Sequence, residues 1–140
     1  MGDSLADRCN AIEECYEFML AYAAQGLPAD QGSASGGQLR EFLSRAVDAL
    51  EGLANAYRAA VKEGGLQPAE RYEAFLAVLA RDAGDALAAV QLVEAQPALS
   101  SQLIDNLNAS IHLRALLTDL FLIDEILKQQ RASANPAATG

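Results

Sequence analysis

The histidine and the two cysteines of this chain are the residue types that most often bind metals or act as nucleophiles. A carboxylate-bridged di-iron site in a helical bundle needs a Glu-x-x-His pair on each of two helices. This chain has a single histidine, His112, and the residue three positions before it is Ala109. The pattern therefore predicts no di-metal site, and we expect no metal or other cofactor.

His112 is also a candidate phosphoacceptor, since histidine side chains form covalent intermediates in some enzymes. On a helix it shares a polar stripe with Asp105, Asn108 and Asp119, which favours a solvated side chain. Phosphotransfer domains usually place a Lys-Gly pair directly after the histidine, whereas a leucine and an arginine follow here. A phosphotransfer or signalling module that uses His112 is therefore the third hypothesis for function.

The two cysteines, Cys9 and Cys15, fall within the first predicted helix. Their separation in sequence places them about 240° apart around a helix, so they cannot form a disulfide with each other there. The Cys-x-x-Cys spacing of metal sites is absent. We expect two reduced thiols that pack as small apolar residues.

Three glutamates of the same helix share one polar face: Glu13, Glu14 and Glu17. Paired carboxylates perform acid–base chemistry when they are buried. A cluster on a polar face is more typical of a solvated surface, and the alternative is an acidic docking patch for a basic partner. Neither interpretation makes these residues catalytic, so we predict no catalytic residue in the chain.

The helices are predicted by apolar residues that recur at alternating four- and three-residue spacings, which keep one stripe on one side of an α-helix. Glycines and prolines mark the ends of the segments. Helices are therefore expected over residues 3–25, 38–63, 68–95 and 100–131. This order predicts an all-α four-helix bundle, up-down-up-down and antiparallel, with a long first connection.

The first connection, residues 26–37, is rich in glycine and serine. It lacks the Gly-Lys-Ser/Thr ending of a phosphate-binding loop, so we predict a flexible linker. A chain of 140 residues fits one domain. We predict a single helical domain over residues 1–131 and a disordered C-terminal tail over residues 132–140.

The composition is acidic, with a formal net charge of −9 and an isoelectric point near 4.4. This charge argues against nucleic acid and anionic membranes as partners, since both need clustered Lys and Arg. No apolar run reaches the roughly 18–20 residues of a membrane span, and residues 1–8 lack the basic start of a signal peptide. We expect a cytoplasmic protein without membrane insertion, and the alanine-rich character suggests a bacterial origin.

The fourth predicted helix is apolar around much of its circumference. This apolar surface is larger than the surface that a single helix usually buries inside an isolated four-helix bundle. The excess predicts a contact surface for a homodimer or a protein partner, and the alternative is that this helix is the most central one. The candidate interface comprises Leu113, Leu116, Leu120, Phe121, Ile123 and Leu127, with Phe18 and Tyr22 of the first helix as a second strip.

These patterns favour a non-enzymatic interaction module, such as an adaptor, an assembly factor or a chaperone-like protein, that self-associates through the fourth helix. The alternative is a helical bundle that binds a small molecule or cofactor in a pocket among alanine-rich positions. Its lining would be aromatic and methionine side chains of the apolar stripes: Tyr16, Met19, Tyr57, Tyr72 and Phe75.

Overall fold

The computed structural model describes residues 4–134, and this part of the chain is all-α, with no β-strand. It contains six helices: α1 (Leu5–Ala23), α2 (Ala34–Leu50), α3 (Leu53–Gly64), α4 (Ala69–Glu94), α5 (Ser101–Ala109) and α6 (Ile111–Ala134). The all-α prediction is confirmed, whereas a bundle of four continuous helices is not. Residues 1–3 and 135–140, which include most of the predicted tail, lie outside the described residues.

The second predicted helix is interrupted after Leu50 and becomes α2 and α3. Glu51 has an extended backbone, and Gly52 has a φ of +78°, a left-handed conformation that favours glycine. The Arg8 guanidinium of α1 donates hydrogen bonds to the carbonyl oxygens of Ala49 and Glu51, at 3.0 and 2.6 Å. The arginine thus satisfies carbonyl groups that a continuous helix would have paired internally.

The fourth predicted helix is interrupted at Ser110 and becomes α5 and α6. Ser110 has an extended backbone (φ −62°, ψ 133°). Its hydroxyl oxygen accepts a hydrogen bond from the Leu113 N–H at 3.4 Å, in the manner of an N-cap. The sequence predicted one continuous helix here because a single serine within an apolar pattern is only a weak signal for a helix break.

The connection between α1 and α2 is tied to the connection between α4 and α5. The buried Asp30 carboxylate accepts hydrogen bonds from Arg40 Nε at 2.8 Å and from the Leu99 N–H at 2.7 Å. Arg40 also donates to the carbonyl oxygens of Glu94 and Gln96, at 2.8 and 2.9 Å, at the C-terminal end of α4. The Arg40 guanidinium holds the pKa of Asp30 below its usual value. An ion pair between the buried Asp30 of the predicted linker and the partly exposed Arg40 of α2 therefore helps to join the two connections.

The second helix begins four residues earlier than the sequence indicated, inside the glycine-rich stretch. The Ser33 hydroxyl oxygen accepts a hydrogen bond from the Gly36 N–H at 3.0 Å and caps α2. Gly36 packs directly on the backbone of Asp30, where a Cβ atom would overlap the carbonyl group. A glycine is needed at this position because the loop and the helix approach each other so closely.

The helices share one hydrophobic core, in which α1 packs against α2 and α5 and α4 packs against α2, α3 and α6. Most of the predicted interface of the fourth helix lies inside this core, where α6 faces α4: Leu113, Leu116, Leu120, Ile123 and Leu127 are all buried. These five side chains are therefore corrected from candidate interface to core. No helix among the described residues is long and apolar enough to cross a membrane.

Candidate functional site

A groove runs between α1 and α6, with a volume of about 500 Å³. Its lining residues stand at positions i, i+3, i+4 and i+7 of each helix, so they form one wall per helix. The α1 wall consists of Glu13, Tyr16, Glu17 and Leu20, and the α6 wall of Arg114, Leu117, Thr118 and Phe121. We call this feature the α1–α6 groove.

Two sets of hydrogen bonds fix the direction of the α5–α6 segment relative to α1. At one end, the Tyr57 hydroxyl of α3 donates to Asp124 Oδ1 of α6 at 2.6 Å and lies 3.0 Å from Cys9 Sγ of α1. At the other end of α1, the Tyr22 hydroxyl donates to the Leu99 carbonyl at 2.6 Å, just before α5. The α5–α6 segment therefore runs antiparallel to α1.

Two exposed apolar side chains line the groove, one on each wall and toward opposite ends, because α1 and α6 run antiparallel. Phe121 is 60% exposed and Leu20 48% exposed, and both line the groove. Leu122, the neighbour of Phe121, is 51% exposed. Single exposed leucines are ordinary in proteins, whereas an exposed phenylalanine beside a concave apolar surface is typical of interaction sites.

The groove is acidic at the end where α1 begins. The pKa of Glu13 is raised above its usual value by partial burial and by the nearby charges of Asp124 and Glu17. Arg114 is the cationic side chain among the residues that line the groove, and it lies toward the other end of α6. The groove therefore carries unneutralised negative charge at one end and a positive charge toward the other.

Next to the acidic end, a buried thiol, a phenol and a carboxylate form a hydrogen-bonded row. Because the Tyr57 hydroxyl donates to Asp124, the Cys9 thiol donates to the Tyr57 oxygen. Burial raises the pKa of Cys9 to about 11, and burial together with the Asp124 carboxylate raises the pKa of Tyr57. A thiol is nucleophilic only as its thiolate, so this row serves to hold α1, α3 and α6 together.

The other residue types suited to chemistry lie apart from the groove. Cys15 is buried, which raises its pKa to about 12. His112 is exposed in the first turn of α6. Asp119 of α6 contacts Asp82 of α4, and burial with this neighbouring carboxylate raises the pKa of Asp119 to about 7. Residues 4–134 contain no group of three His, Cys, Asp or Glu side chains arranged to hold a metal ion.

The five residues predicted to line a ligand pocket belong to the hydrophobic core or pack against it, and they do not line the α1–α6 groove together. Met19, Tyr57 and Tyr72 are buried in the core, and Phe75 packs against it. Only Tyr16 lines the α1–α6 groove. These side chains thus fill the interior space in which the predicted ligand would have to bind.

The second predicted interface strip is also divided by the structure. Tyr22 is fully buried. Phe18 is half-buried and stacks on Phe42 of α2, with ring centroids 4.7 Å apart, so it faces away from α6. Of the eight predicted interface residues, Phe121 alone lines the groove.

Sequence analysis singled out half of the residues that line the groove, namely Glu13, Tyr16, Glu17 and Phe121, but did not place them in one site. Leu20 was outside every predicted set, and Arg114 was considered only as the neighbour of a histidine. The signal that points to them is their helical spacing from Tyr16 and Phe121, but it indicates a groove only once α1 and α6 are known to be neighbours. Comparison with protein-family models, curated proteins and solved structures finds no match to this chain.

Proposed function

We propose that this protein is a non-enzymatic interaction module that binds another polypeptide chain through the α1–α6 groove. The observation that carries the proposal is the exposed Phe121 side chain on the α6 wall of the groove, with Leu20 exposed on the α1 wall. Aromatic residues supply a large share of the binding energy in many interfaces. Leu122 extends the apolar surface to the outer face of α6.

The chemistry of the nearby groups supports a binding role over a catalytic one. Cys9 has a raised pKa and is hydrogen-bonded inside the core. His112 is exposed and does not line the groove. The groove itself offers two carboxylates, the hydroxyls of Tyr16 and Thr118, and an arginine, which suit recognition of a charged surface.

We also infer that the six helices form a four-helix bundle in which α2 with α3, and α5 with α6, each make up one bent helix. The contacts that support this are those of α4, which packs against both α2 and α3 and against both α5 and α6. Two cysteines without a disulfide and an acidic composition suit the cytoplasm, which we propose as the location.

The test compares Phe121→Asp with Leu92→Asp, a matched control. Leu92 is 67% exposed on α4 and lies outside the α1–α6 groove. Crosslinking and affinity capture from a lysate of the source organism, quantified against the wild type, should lose specific partners with Phe121→Asp and keep them with Leu92→Asp. Native mass spectrometry of the same samples detects self-association as a mass near twice 14.8 kDa. Equal capture and equal mass for all three proteins would refute the proposal.

A further inference from the structure

The α1–α6 groove is long enough to contact two turns of a helix. Its lining residues run from Glu13 to Leu20 on α1 and from Arg114 to Phe121 on α6, which is two helical turns or about 10 Å on each wall. Helices pack with their axes about 8–10 Å apart when side chains of one fit between those of the other. Binding of a peptide by β-strand addition would need the free edge of a sheet, and residues 4–134 contain no strand.

The charges of the groove indicate which kind of helix it accepts. Glu13 and Glu17 form part of the α1 wall, and Asp124 lies beside Glu13 at the same end. No ion pair neutralises Glu13 or Glu17 within the described part of the chain. A cation placed between these carboxylates would relieve their mutual repulsion, since opposite charges a few ångströms apart favour the ionised forms.

We propose that the α1–α6 groove binds an amphipathic α-helix of a partner protein, with apolar residues packed on Phe121 and Leu20 and with Lys or Arg beside Glu13 and Glu17. This inference rests on the proposed function and names the chemistry of the partner. The apolar residues of such a helix recur at i, i+3 or i+4, and i+7, which matches two turns of contact. Its basic residues lie toward the end that meets Glu13, away from Arg114.

A second copy of this chain fits the groove less well. Each copy has a formal net charge of −9, and Glu13, Glu14 and Glu17 lie together on α1. Two copies joined through their grooves would bring these faces together, and like charges at an interface oppose association. A basic helix gains from the same charges that repel a second copy.

The direct test measures the binding of designed peptides to the full chain by fluorescence anisotropy. A labelled helical peptide of about 15 residues carries leucines at i, i+3, i+4 and i+7 and lysines on the flanks. A second peptide replaces every lysine with glutamate, and a third scrambles the lysine peptide so that its apolar face is lost. We expect the lysine peptide to bind about tenfold or more tightly than either of the others.

Two variants locate the binding. Phe121→Asp should reduce the affinity for the lysine peptide about tenfold or more, whereas Leu92→Asp should leave it unchanged. The double variant Glu13→Gln/Glu17→Gln should weaken lysine-peptide binding about fivefold to tenfold and lessen its salt dependence. Its matched control is Glu63→Gln/Glu70→Gln, which removes the same charge at two exposed positions outside the groove.

The outcomes separate this inference from the proposed function. The inference is overturned if the lysine and glutamate peptides bind equally, or if both double variants weaken binding by the same factor, which would indicate attraction to the net charge alone. It is also overturned if no peptide binds while the wild type forms a dimer that Phe121→Asp abolishes, in which case the proposed function stands with a second copy as the partner. If no peptide binds and Phe121→Asp changes neither mass nor partner capture, both proposals fail.

Discussion

Replacing Asp119 with asparagine should stabilise the protein at neutral and alkaline pH. Asp119 of α6 lies against Asp82 of α4, and Asp119 Oδ2 is buried with no hydrogen-bond partner among the described residues. Burial and the Asp82 carboxylate raise the pKa of Asp119 from 3.8 to about 7. An asparagine amide has the same shape, carries no charge and can donate a hydrogen bond to Asp82.

The direction of the pH dependence follows from proton binding. Between pH 4 and pH 7 the folded protein holds a proton on Asp119 that the unfolded chain has already released, so the free energy of unfolding falls as the pH rises through this range. Three pKa units correspond to about 4 kcal/mol for a fully buried group. Because the Asp119 side chain is partly exposed, solvent screening reduces the expected effect to about 1–2 kcal/mol.

Urea denaturation at pH 5 and pH 8, followed by circular dichroism at 222 nm, measures this effect. Asp119→Asn should raise the free energy of unfolding at pH 8 by about 1–2 kcal/mol and change it much less at pH 5. Asp85→Asn, at an exposed position of α4, is the control and should show no such difference. If Asp119→Asn raised the free energy of unfolding equally at both pH values, the stability would not depend on protonation of Asp119, and the reasoning would be refuted.

Three further substitutions test the packing that supports the groove. Gly36→Ala should lower the free energy of unfolding by about 2 kcal/mol or more, because its Cβ would overlap the backbone of Asp30, and thermal denaturation measures the loss. Gly84→Ala is its counterpart within α4, where a Cβ meets open space, and it should raise the free energy of unfolding by up to about 1 kcal/mol. Tyr57→Phe removes the hydroxyl that donates to Asp124, so it should cost about 1–3 kcal/mol in urea denaturation, and an unchanged midpoint would contradict the assigned hydrogen bond.

The helical class was predictable because local apolar spacing decides it, and the number of helices was not. The break at Gly52 depends on Arg8, which lies on another helix and donates hydrogen bonds to the carbonyl oxygens that the break leaves unpaired. The break at Ser110 depends on how α5 and α6 pack against different neighbours. Both breaks are stabilised by contacts distant in sequence, which a local pattern does not contain.

The candidate site was predictable only at the level of single residues. An apolar pattern identifies Leu116 and Phe121 alike as apolar members of a helix, although Leu116 is buried and Phe121 is 60% exposed. The difference arises because one side of α6 faces α4 and the other faces the groove. Likewise, the role of Asp30 in a buried ion pair depends on Arg40 and on the backbone of Leu99, which lies far along the chain.

The break at Ser110 also explains why a groove exists beside α1. Before the break, α5 packs closely against α1, and after it α6 packs mainly against α4. The change of partner draws α6 away from α1, so the side chains of Tyr16 and Leu20 lose the neighbour that a continuous helix would have given them. Phe121 faces the space that results, and the row from Cys9 through Tyr57 to Asp124 ties α1 and α6 together at its acidic end. The groove is thus a product of the same helix break that the apolar pattern concealed.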